Sequence, residues 1–322
     1  MKKMKIAMLL SAIVIAAGLI LTLVGILIMR FDWKRLDFSR YQSKNHEISE
    51  DFNSISINVN TADVILRLSK DGVCRVSCFE DEQRPHTVTV QNGTLQIGAA
   101  ASKWYHHINL FNFNEPSVTV SLPKAAYDAL QIKTNTGDVT LPGELSFANA
   151  TVECDTGDVS WQAAVVDTLS VTTDTGDIEI TGVSPSKLSA KTQTGDVSVG
   201  ESKIAEALEV FTHTGEVELL AIECGALTVV SDTGDVELKD LIAVGAISIT
   251  TDTGGVALDA CDAAAITVRT DTGDVFGVLL SEKIFVTKTD TGDVDVPRGT
   301  SGGTCEVVTD TGDIEFEIKG GD

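Results

Sequence analysis

The sequence is poor in aromatic residues and proline, and this shortage argues against a helical enzyme. Aromatic residues make up 5% of the 322 positions and proline only six of them, whereas glycine supplies 27. Hydrophobic residues still reach 43%, so disorder is not the default expectation. The composition favours a thin, repetitive β structure, because such a fold needs small and β-branched residues more than large rings.

Positive charge is also scarce outside the N-terminus. The formal net charge is −23, while residues 1–45 carry a local charge of +6 and the remaining residues −29. An acidic surface repels nucleic acid and anionic lipid, so we exclude DNA and RNA as partners. Cations, basic proteins and polar glycans stay open as ligands.

Cysteine is infrequent, and the six cysteines form no paired C-x-x-C metal motif. Cys74 and Cys78 in CRVSC would face the same side of a strand, about 13 Å apart by the rise of a strand. That separation is too large for a disulfide between them. We predict that the cysteines are small buried residues, which leaves the redox compartment open.

One long hydrophobic run is present near the N-terminus. Residues 6–29 form 24 positions without charge, enough for a helix to span a bilayer core of about 30 Å. The run exceeds the roughly 7–15 apolar residues of a secretory signal. We therefore expect an uncleaved transmembrane helix between a basic tail at 1–5 and a juxtamembrane linker at 30–47. Basic residues flank it on both sides, so the orientation rests on the long acidic domain, which favours an extracytoplasmic location.

A Thr-Gly turn recurs ten times at intervals of 19 or 20 residues. The glycines are Gly137, Gly157, Gly176, Gly195, Gly215, Gly234, Gly254, Gly273, Gly292 and Gly312. Threonine precedes each glycine, valine or isoleucine follows two positions later, and apolar and polar residues alternate on both sides. This period of two predicts a strand before and after each turn, with one buried face.

A unit of two short strands cannot bury its apolar side alone. A row of hairpins would solve this, but we favour a coil in which each unit lies on the next, because equivalent residues then stack about 4.8 Å apart. The fold class predicted is all-β, a right-handed parallel β-solenoid of about ten rungs over 131–322. Residues 48–130 would form its N-terminal cap, with a degenerate first rung at Asn60-Thr61-Ala62-Asp63-Val64 and a hairpin at Asn92-Gly93.

The triplet Asp-Thr-Gly, which carries the catalytic carboxylate of aspartic proteases, occurs seven times. Protease chemistry needs two aspartates facing each other across a cleft and sharing a proton. Here the triplet repeats at the rung spacing, so we interpret it as a structural turn in which glycine supplies a positive φ and Asp or Asn bonds nearby backbone N–H groups. Threonines one and three positions before glycine would form a stacked hydroxyl ladder. We predict no catalytic residue and no cofactor.

The position after each glycine is usually aspartate and raises the alternative of bound Ca²⁺. Stacked carboxylates repel by roughly 1 kcal/mol per neighbour even in water, and either backbone N–H groups or bridging Ca²⁺ would offset this. Gly255 at this position, and Gln193 and His213 at the mostly acidic position two before glycine, favour a solvated acidic edge over a strict site. The Ca²⁺ candidates are Asp158, Asp177, Asp196, Asp235, Asp274, Asp293 and Asp313.

One segment concentrates the rare aromatic residues. Residues 102–116 contain a candidate patch for a protein or glycan ligand: Trp104, Tyr105, His107, Phe111 and Phe113. Exposed, it would anchor a partner; the structural interpretation is a loop that covers the open end of the core. His106 and His107 would point to opposite sides of a strand, which disfavours a two-histidine metal site.

The hydrophobic N-terminus, INVNTADVIL (57–66), VTVSLP (118–123) and the ten turns together resemble the bacterial β-strand-repeat family labelled putative adhesin, a domain of unknown function. The resemblance covers about residues 50–318 and implies a β-solenoid associated with the cell envelope, without catalytic residues. We therefore expect a membrane-anchored, non-enzymatic solenoid acting in binding, adhesion or envelope-stress sensing. The alternative is a membrane-tethered scaffold that self-associates end to end through unpaired strand edges, with the cytoplasmic face of the membrane open as its location.

Overall fold

The computed structural model describes residues 41–82, 84–99 and 116–319, together with three helical residues, Ile15, Gly18 and Ile20. Apart from these three, the hydrophobic segment 6–29 lies outside the described residues. Within the described part of the chain, no helix has both the length and the apolar character needed to span a bilayer.

From Tyr41 onward, all regular structure in the described residues is β-strand. The strands are β1 (Tyr41–Ile48), β2 (Ser54–Asn58), β3 (Asp63–Leu68), β4 (Cys74–Asp81), β5 (His86–Gln91), β6 (Thr94–Ala99), β7 (Ser117–Leu122), β8 (Ala126–Thr136), β9 (Val139–Leu141), β10 (Ser146–Thr156), β11 (Val159–Trp161), β12 (Ala164–Thr175), β13 (Ile178–Thr181), β14 (Lys187–Thr194), β15 (Val197–Thr214), β16 (Val217–Thr233), β17 (Val236–Thr253), β18 (Val256–Thr272), β19 (Val275–Leu279), β20 (Lys283–Thr291), β21 (Val294–Asp295), β22 (Gly303–Thr311) and β23 (Ile314–Ile318).

These strands form a β-solenoid, which confirms the predicted all-β coil. Strand segments before the turns pair in parallel in one ladder, here called the pre-turn ladder, as in β8–β10–β12–β14. Segments after the turns pair in parallel in a second, the post-turn ladder, as in β9–β11–β13–β15. Equivalent residues of successive repeats lie opposite each other, for example Val159 beside Val139 and Ile178.

The core runs between the ladders and is filled by the apolar columns of the repeat. The valine or isoleucine two residues after the turn glycine is buried in every rung except the outermost, where Val294 is exposed. Leu169, Leu188 and Leu208, each seven residues before a glycine, are buried as well. Strands β15 to β18 continue past the post-turn ladder around a third face. Each bends at one residue of positive φ, namely Glu201, Ala221, Asp240 and Ala260.

At the N-terminal end, the chain starts inside the stack and adds strands outward. Strands β2 and β3 flank Ala62 and pair in parallel with β8 and β9. Strands β6 and β7 pair on their other side, and β5 closes a hairpin on β6 at Asn92-Gly93, as predicted. Strand β4 lies antiparallel between β7 and β1. Strand β1 falls largely in the range 30–47 that the sequence pattern assigned to a linker.

At the C-terminal end, the order of the rungs differs from the expectation that each unit lies on the next. Strands β22 and β23 of the last repeat pair with β18 and β19 on one side and with β20 and β21 on the other. The Gly312 rung is therefore inserted between the Gly273 and Gly292 rungs.

Side-chain size explains why the inserted rung fits. Gly277, which interrupts an otherwise large apolar column, lies beside Phe316. A Cβ on Gly277 would be 2.1 Å from Cε1 of Phe316, so the phenylalanine ring occupies the space that a side chain at 277 would fill. Phe316 also contacts Phe285 of the outermost rung, with ring centroids 5.4 Å apart.

Candidate functional site

The ten Thr-Gly turns stack along one side of the solenoid, here called the turn edge. Their glycines have φ between +138° and +159°. A Cβ on Gly195 would lie 2.1 Å from the carbonyl oxygen of Gly176 in the rung below. Glycine is thus required both by its φ and by the close backbone approach.

The carboxylates that follow the glycines form a ladder with the backbone. The N–H of Asp177 donates to Oδ1 of Asp158 at 2.9 Å, and the N–H of Asp196 donates to Oδ1 of Asp177 at 2.8 Å. The same bond joins, donor first, Asp138 to Asp63, Asp158 to Asp138, Glu216 to Asp196, Gly255 to Asp235, Asp313 to Asp274 and Asp293 to Asp313. Each bond stabilises a carboxylate against its neighbours and ties one rung to the next.

The ladder gives the Ca²⁺ candidates a structural role. Six of the seven accept a backbone N–H through Oδ1, and the seventh, Asp293, lies on the outermost rung. The aspartates stand in one row along one edge, unlike the pair across a cleft that an aspartic protease requires. Binding of Ca²⁺ by their remaining oxygens stays the alternative to the predicted solvated edge.

Threonines three residues before the glycines form a buried hydroxyl ladder. Thr173, Thr192, Thr212, Thr270, Thr289 and Thr309 each donate to a turn-glycine carbonyl in the adjacent rung, at 3.0 to 3.3 Å. Thr309 donates to Gly273 and Thr289 to Gly312, which follows the inserted order of the last rung. The threonines one residue before glycine are exposed instead.

The exposed column two residues before the glycines is mainly aspartate, and two of its three exceptions form hydrogen bonds to an adjacent rung. Nε2 of Gln193 donates to Oδ1 of Asp174 at 2.8 Å. Nδ1 of His213 hydrogen-bonds to Oδ2 of Asp232. Both replacements therefore exchange a like-charge contact for a hydrogen bond.

All six cysteines are buried and unpaired, as the sequence predicts. Burial raises the pKa of Cys74, Cys224 and Cys261 to about 11 and that of Cys305 to about 12. A protonated, enclosed thiol is a poor nucleophile.

A second polar group, here called the cap cluster, lies at the N-terminal end of the core. It consists of Lys44, Cys78, Glu80 and His86, which come from β1, β4 and the start of β5. Nζ of Lys44 lies 2.7 Å from Oε1 of Glu80. Oε2 of Glu80 accepts the backbone N–H of His86 at 2.5 Å and lies 2.9 Å from its Nδ1.

Electrostatics keeps the Glu80 carboxylate charged inside the cap cluster. Burial acts to raise its pKa, but hydrogen bonds from Lys44 and from the backbone and ring of His86 outweigh burial and lower it. Cys78 is affected in the opposite sense, because burial and the Glu80 charge raise the pKa of its thiol to about 12. The sequence pattern did not reveal this cluster. The available signal was that residues 78 and 80 share a strand face and that a histidine follows after a short connector.

The aromatic patch of Trp104, Tyr105, His107, Phe111 and Phe113 lies outside the described residues. The described strands on either side, β6 and β7, pair with β2 and β3 around Ala62.

Comparison with known proteins gives one family and several distant structures. The family model described as Toastrack DUF4097 matches residues 52–207 and 200–321. A putative adhesin from Bacteroides fragilis NCTC 9343 is 15% identical, with 86% of this chain and 97% of that chain covered and a TM-score of 0.41. A putative adhesin from Parabacteroides distasonis ATCC 8503 is 12% identical, with 86% and 98% covered and a TM-score of 0.42. No curated protein matches.

Proposed function

Since the chain belongs to the Toastrack DUF4097 family, whose model covers the solenoid, we propose that it is a non-enzymatic binding or adhesion protein held at the cell envelope. Residues 6–29 would anchor it in the membrane, and the solenoid would lie outside the cytoplasm. The chain would coil through the solenoid in a right-handed sense. A role in envelope-stress sensing would use the same display of the solenoid outside the cell.

One observation carries this proposal, the regular outer surface of the pre-turn ladder. Its column six residues before the glycines carries a hydroxyl group on six rungs, three on either side of the rung that holds Glu209. These residues are Thr151, Ser170, Ser189, Thr228, Ser248 and Thr267. We call this surface the hydroxyl face. Rungs repeat about every 4.8 Å, so the face offers hydrogen-bonding groups at a fixed period, which suits a repetitive polar ligand such as a glycan.

The binding proposal is tested on cells that produce the full chain. Replacing Ser170 and Ser189 by lysine places two long cations on the hydroxyl face. Ser160→Lys with Ser198→Lys makes the same charge change on the outer side of the post-turn ladder and serves as the control. Adherence to immobilised polysaccharides and proteins should fall roughly tenfold, about 1.4 kcal/mol, only in the first pair. Equal adherence of both variants would refute the hydroxyl face as the binding surface.

Membrane display is tested separately by protease treatment of intact cells. An outward solenoid would be removed while a cytoplasmic marker protein stays whole. Protection of the solenoid in intact cells, with cleavage after lysis, would contradict the extracytoplasmic proposal.

A second function, end-to-end assembly, is favoured by the outermost C-terminal rung. In the described residues, β20 pairs only with β22 and β21 only with β23. This free edge exposes Ile284, Val286 and Val294, and an unpaired apolar edge invites strand addition.

Sedimentation of the full chain in detergent tests the assembly. Val286→Lys with Val294→Lys should shift oligomers to monomers, whereas Val166→Lys, at an exposed valine far from the edge, should not. A monomer at every concentration before mutation would exclude the scaffold.

A further inference from the structure

Three different metal-ligating groups converge in the cap cluster. The sulfur of Cys78, a carboxylate oxygen of Glu80 and a ring nitrogen of His86 all lie within 4.8 Å of one another. This is the one such group of three or more His, Cys, Asp and Glu side chains in the part of the chain that the structure describes. The convergence is not an effect of sequence proximity alone, because a connector separates β4 from β5.

The cluster is enclosed and already holds a cation. Cys78 is 0% and Glu80 1% exposed, and the His86 side chain is 8% exposed. The partner of the buried Oε1 of Glu80 is the ammonium group of Lys44, at 2.7 Å. The carboxylate therefore faces a position that a positive charge occupies, and a metal ion would take the same position.

A further nitrogen lies on the neighbouring strand β1, outside the group of three ligand atoms. Nε2 of His46 is buried and has no hydrogen-bond partner. His46 and Lys44 share a face of β1, and Lys44 lies directly opposite Cys78 on β4. His46 is therefore a diagonal neighbour of Cys78, within reach of a long side chain.

We propose that Cys78, Glu80 and His86 bind a divalent transition-metal ion of the Zn²⁺ class. Thiolate, imidazole and carboxylate together are the donor set that zinc prefers in proteins, at about 2.0 to 2.3 Å. The donors need to close by about an ångström to reach a tetrahedral arrangement, with water as the fourth ligand. On binding, a metal–sulfur bond forms and the thiol proton passes to solvent.

Lys44 makes the site regulable, because its ammonium group and the metal compete for the same carboxylate. The Lys44 side chain is 38% exposed, so it can move into water when a metal takes its place. Without metal, the Lys44–Glu80 ion pair keeps the buried charge neutralised. With metal, β4 and the start of β5 are joined through the ion, which stabilises the cap.

A Co²⁺ titration of the full chain in detergent tests the site. Thiolate coordination should give a near-ultraviolet charge-transfer band that saturates at one equivalent and is removed by Zn²⁺. Cys78→Ser should abolish the band, and His86→Ala should weaken affinity by at least roughly 100-fold. Cys305→Ser is the matched control, since Cys305 is an equally buried thiol outside any such cluster.

The competing lysine provides a test that misfolding cannot imitate. Lys44→Met should tighten metal binding roughly tenfold or more, because a cation near the carboxylate is removed. A band that survives in Cys78→Ser, no band in the unmutated chain, or unchanged affinity in Lys44→Met would each overturn the proposal. Thermal unfolding with and without Zn²⁺ should show a stabilisation that Cys78→Ser loses and Cys305→Ser keeps.

Discussion

At the scale of single residues, the turn edge imposes separate demands on neighbouring positions of the repeat. Glycine is needed where backbones stack, aspartate where a free N–H of the next rung needs an acceptor, and threonine where a glycine carbonyl faces the core. These demands explain the T-x-T-G-D pattern better than catalysis does. They also make distinct predictions, because the chain offers a matched control position for the glycine and for the threonine.

Gly195→Ala should destabilise the fold by more than about 3 kcal/mol, through backbone strain and overpacking together. Its φ is +144°, and the new Cβ would meet the Gly176 carbonyl oxygen at 2.1 Å. Gly182→Ala is the control, because Gly182 also has positive φ, +73°, but nothing within 4 Å of its Cβ position; it should cost about 1 to 2 kcal/mol. Urea unfolding measures both. Equal losses would show that stacking of the rungs adds nothing to the requirement for glycine.

Thr192→Val should cost about 1 to 2 kcal/mol, because it deletes a buried hydroxyl that donates to the Gly176 carbonyl at 3.1 Å. Thr251→Val makes the same change where the hydroxyl is buried without a partner, so it should be neutral or stabilising. Chemical denaturation of the two variants checks this. The explanation is wrong if Thr251→Val is the more damaging change.

At the scale of elements, the sequence predicts what each rung contains but not which rung is its neighbour. Period and alternation give the strands, the turns, the buried columns and the Asn92-Gly93 hairpin. Every rung offers the same columns, so the pattern cannot distinguish the order 273–292–312 from the observed 273–312–292. Two local signals mark the insertion, the gap at Gly277 and the glycines of the connector PRGTSGGT (297–304). The cap cluster escaped prediction for a related reason, since β1, β4 and β5 lie outside the repeat.

Gly277→Val should therefore destabilise the C-terminal rungs by roughly 1 to 3 kcal/mol, because its side chain would overlap the Phe316 ring. Phe316→Val should restore much of that loss in the double variant. A thermodynamic cycle of the two single variants and the double variant measures the coupling. Purely additive effects would contradict contact between these rungs and support the sequential order.

An ion pair between a buried lysine and a half-buried aspartate ties the outermost rung to the third face and predicts acid sensitivity. Nζ of Lys283, with its side chain 2% exposed, lies 2.5 Å from Oδ1 of Asp262. Burial acts to raise the pKa of Asp262, but hydrogen bonds from Lys283 and Ser281 outweigh burial and lower it below the ordinary 3.8. A lowered carboxyl pKa stabilises the fold above the unfolded pKa, and this contribution is lost as pH falls through the folded pKa.

Unfolding measured from pH 7 to pH 2 should show this loss below about pH 4. Asp262→Asn should destabilise the protein at pH 7, because it leaves the Lys283 charge buried without its partner, and should flatten the acid dependence. Asp259→Asn, at an exposed aspartate 3.9 Å from Lys239, is the control and should change neither. Parallel pH profiles for Asp262→Asn and the unmutated chain would remove the ion pair from the explanation.

At the scale of the whole molecule, a long acidic edge is stable because its carboxylates are bonded to the backbone and the remaining charge is exposed to water. The residues after position 45 carry a net charge of −29, so self-repulsion opposes the fold at low ionic strength and salt should relieve it. Ion pairs between adjacent rungs, such as Lys133–Glu153 and Lys203–Glu223, are exposed to solvent and contribute little to the free energy of unfolding. Stability of the solenoid as a unit should then depend on ionic strength more than on which cation supplies it.

The dependence of stability on ionic strength, rather than on the kind of cation, distinguishes a solvated edge from a row of Ca²⁺ sites. The melting temperature of the full chain should rise with NaCl, and Ca²⁺ or Mg²⁺ should raise it by similar amounts at millimolar concentration, because both act on the field of the whole edge. Specific sites would instead give a Ca²⁺ shift that follows RT ln(1 + [L]/Kd) and exceeds that of Mg²⁺. Asp177→Asn with Asp196→Asn would abolish such an excess, whereas on the solvated edge it should cost only the charge-assisted bonds that these two carboxylates accept. A Ca²⁺-selective shift lost in that variant would replace the solvated edge with metal binding along the turns.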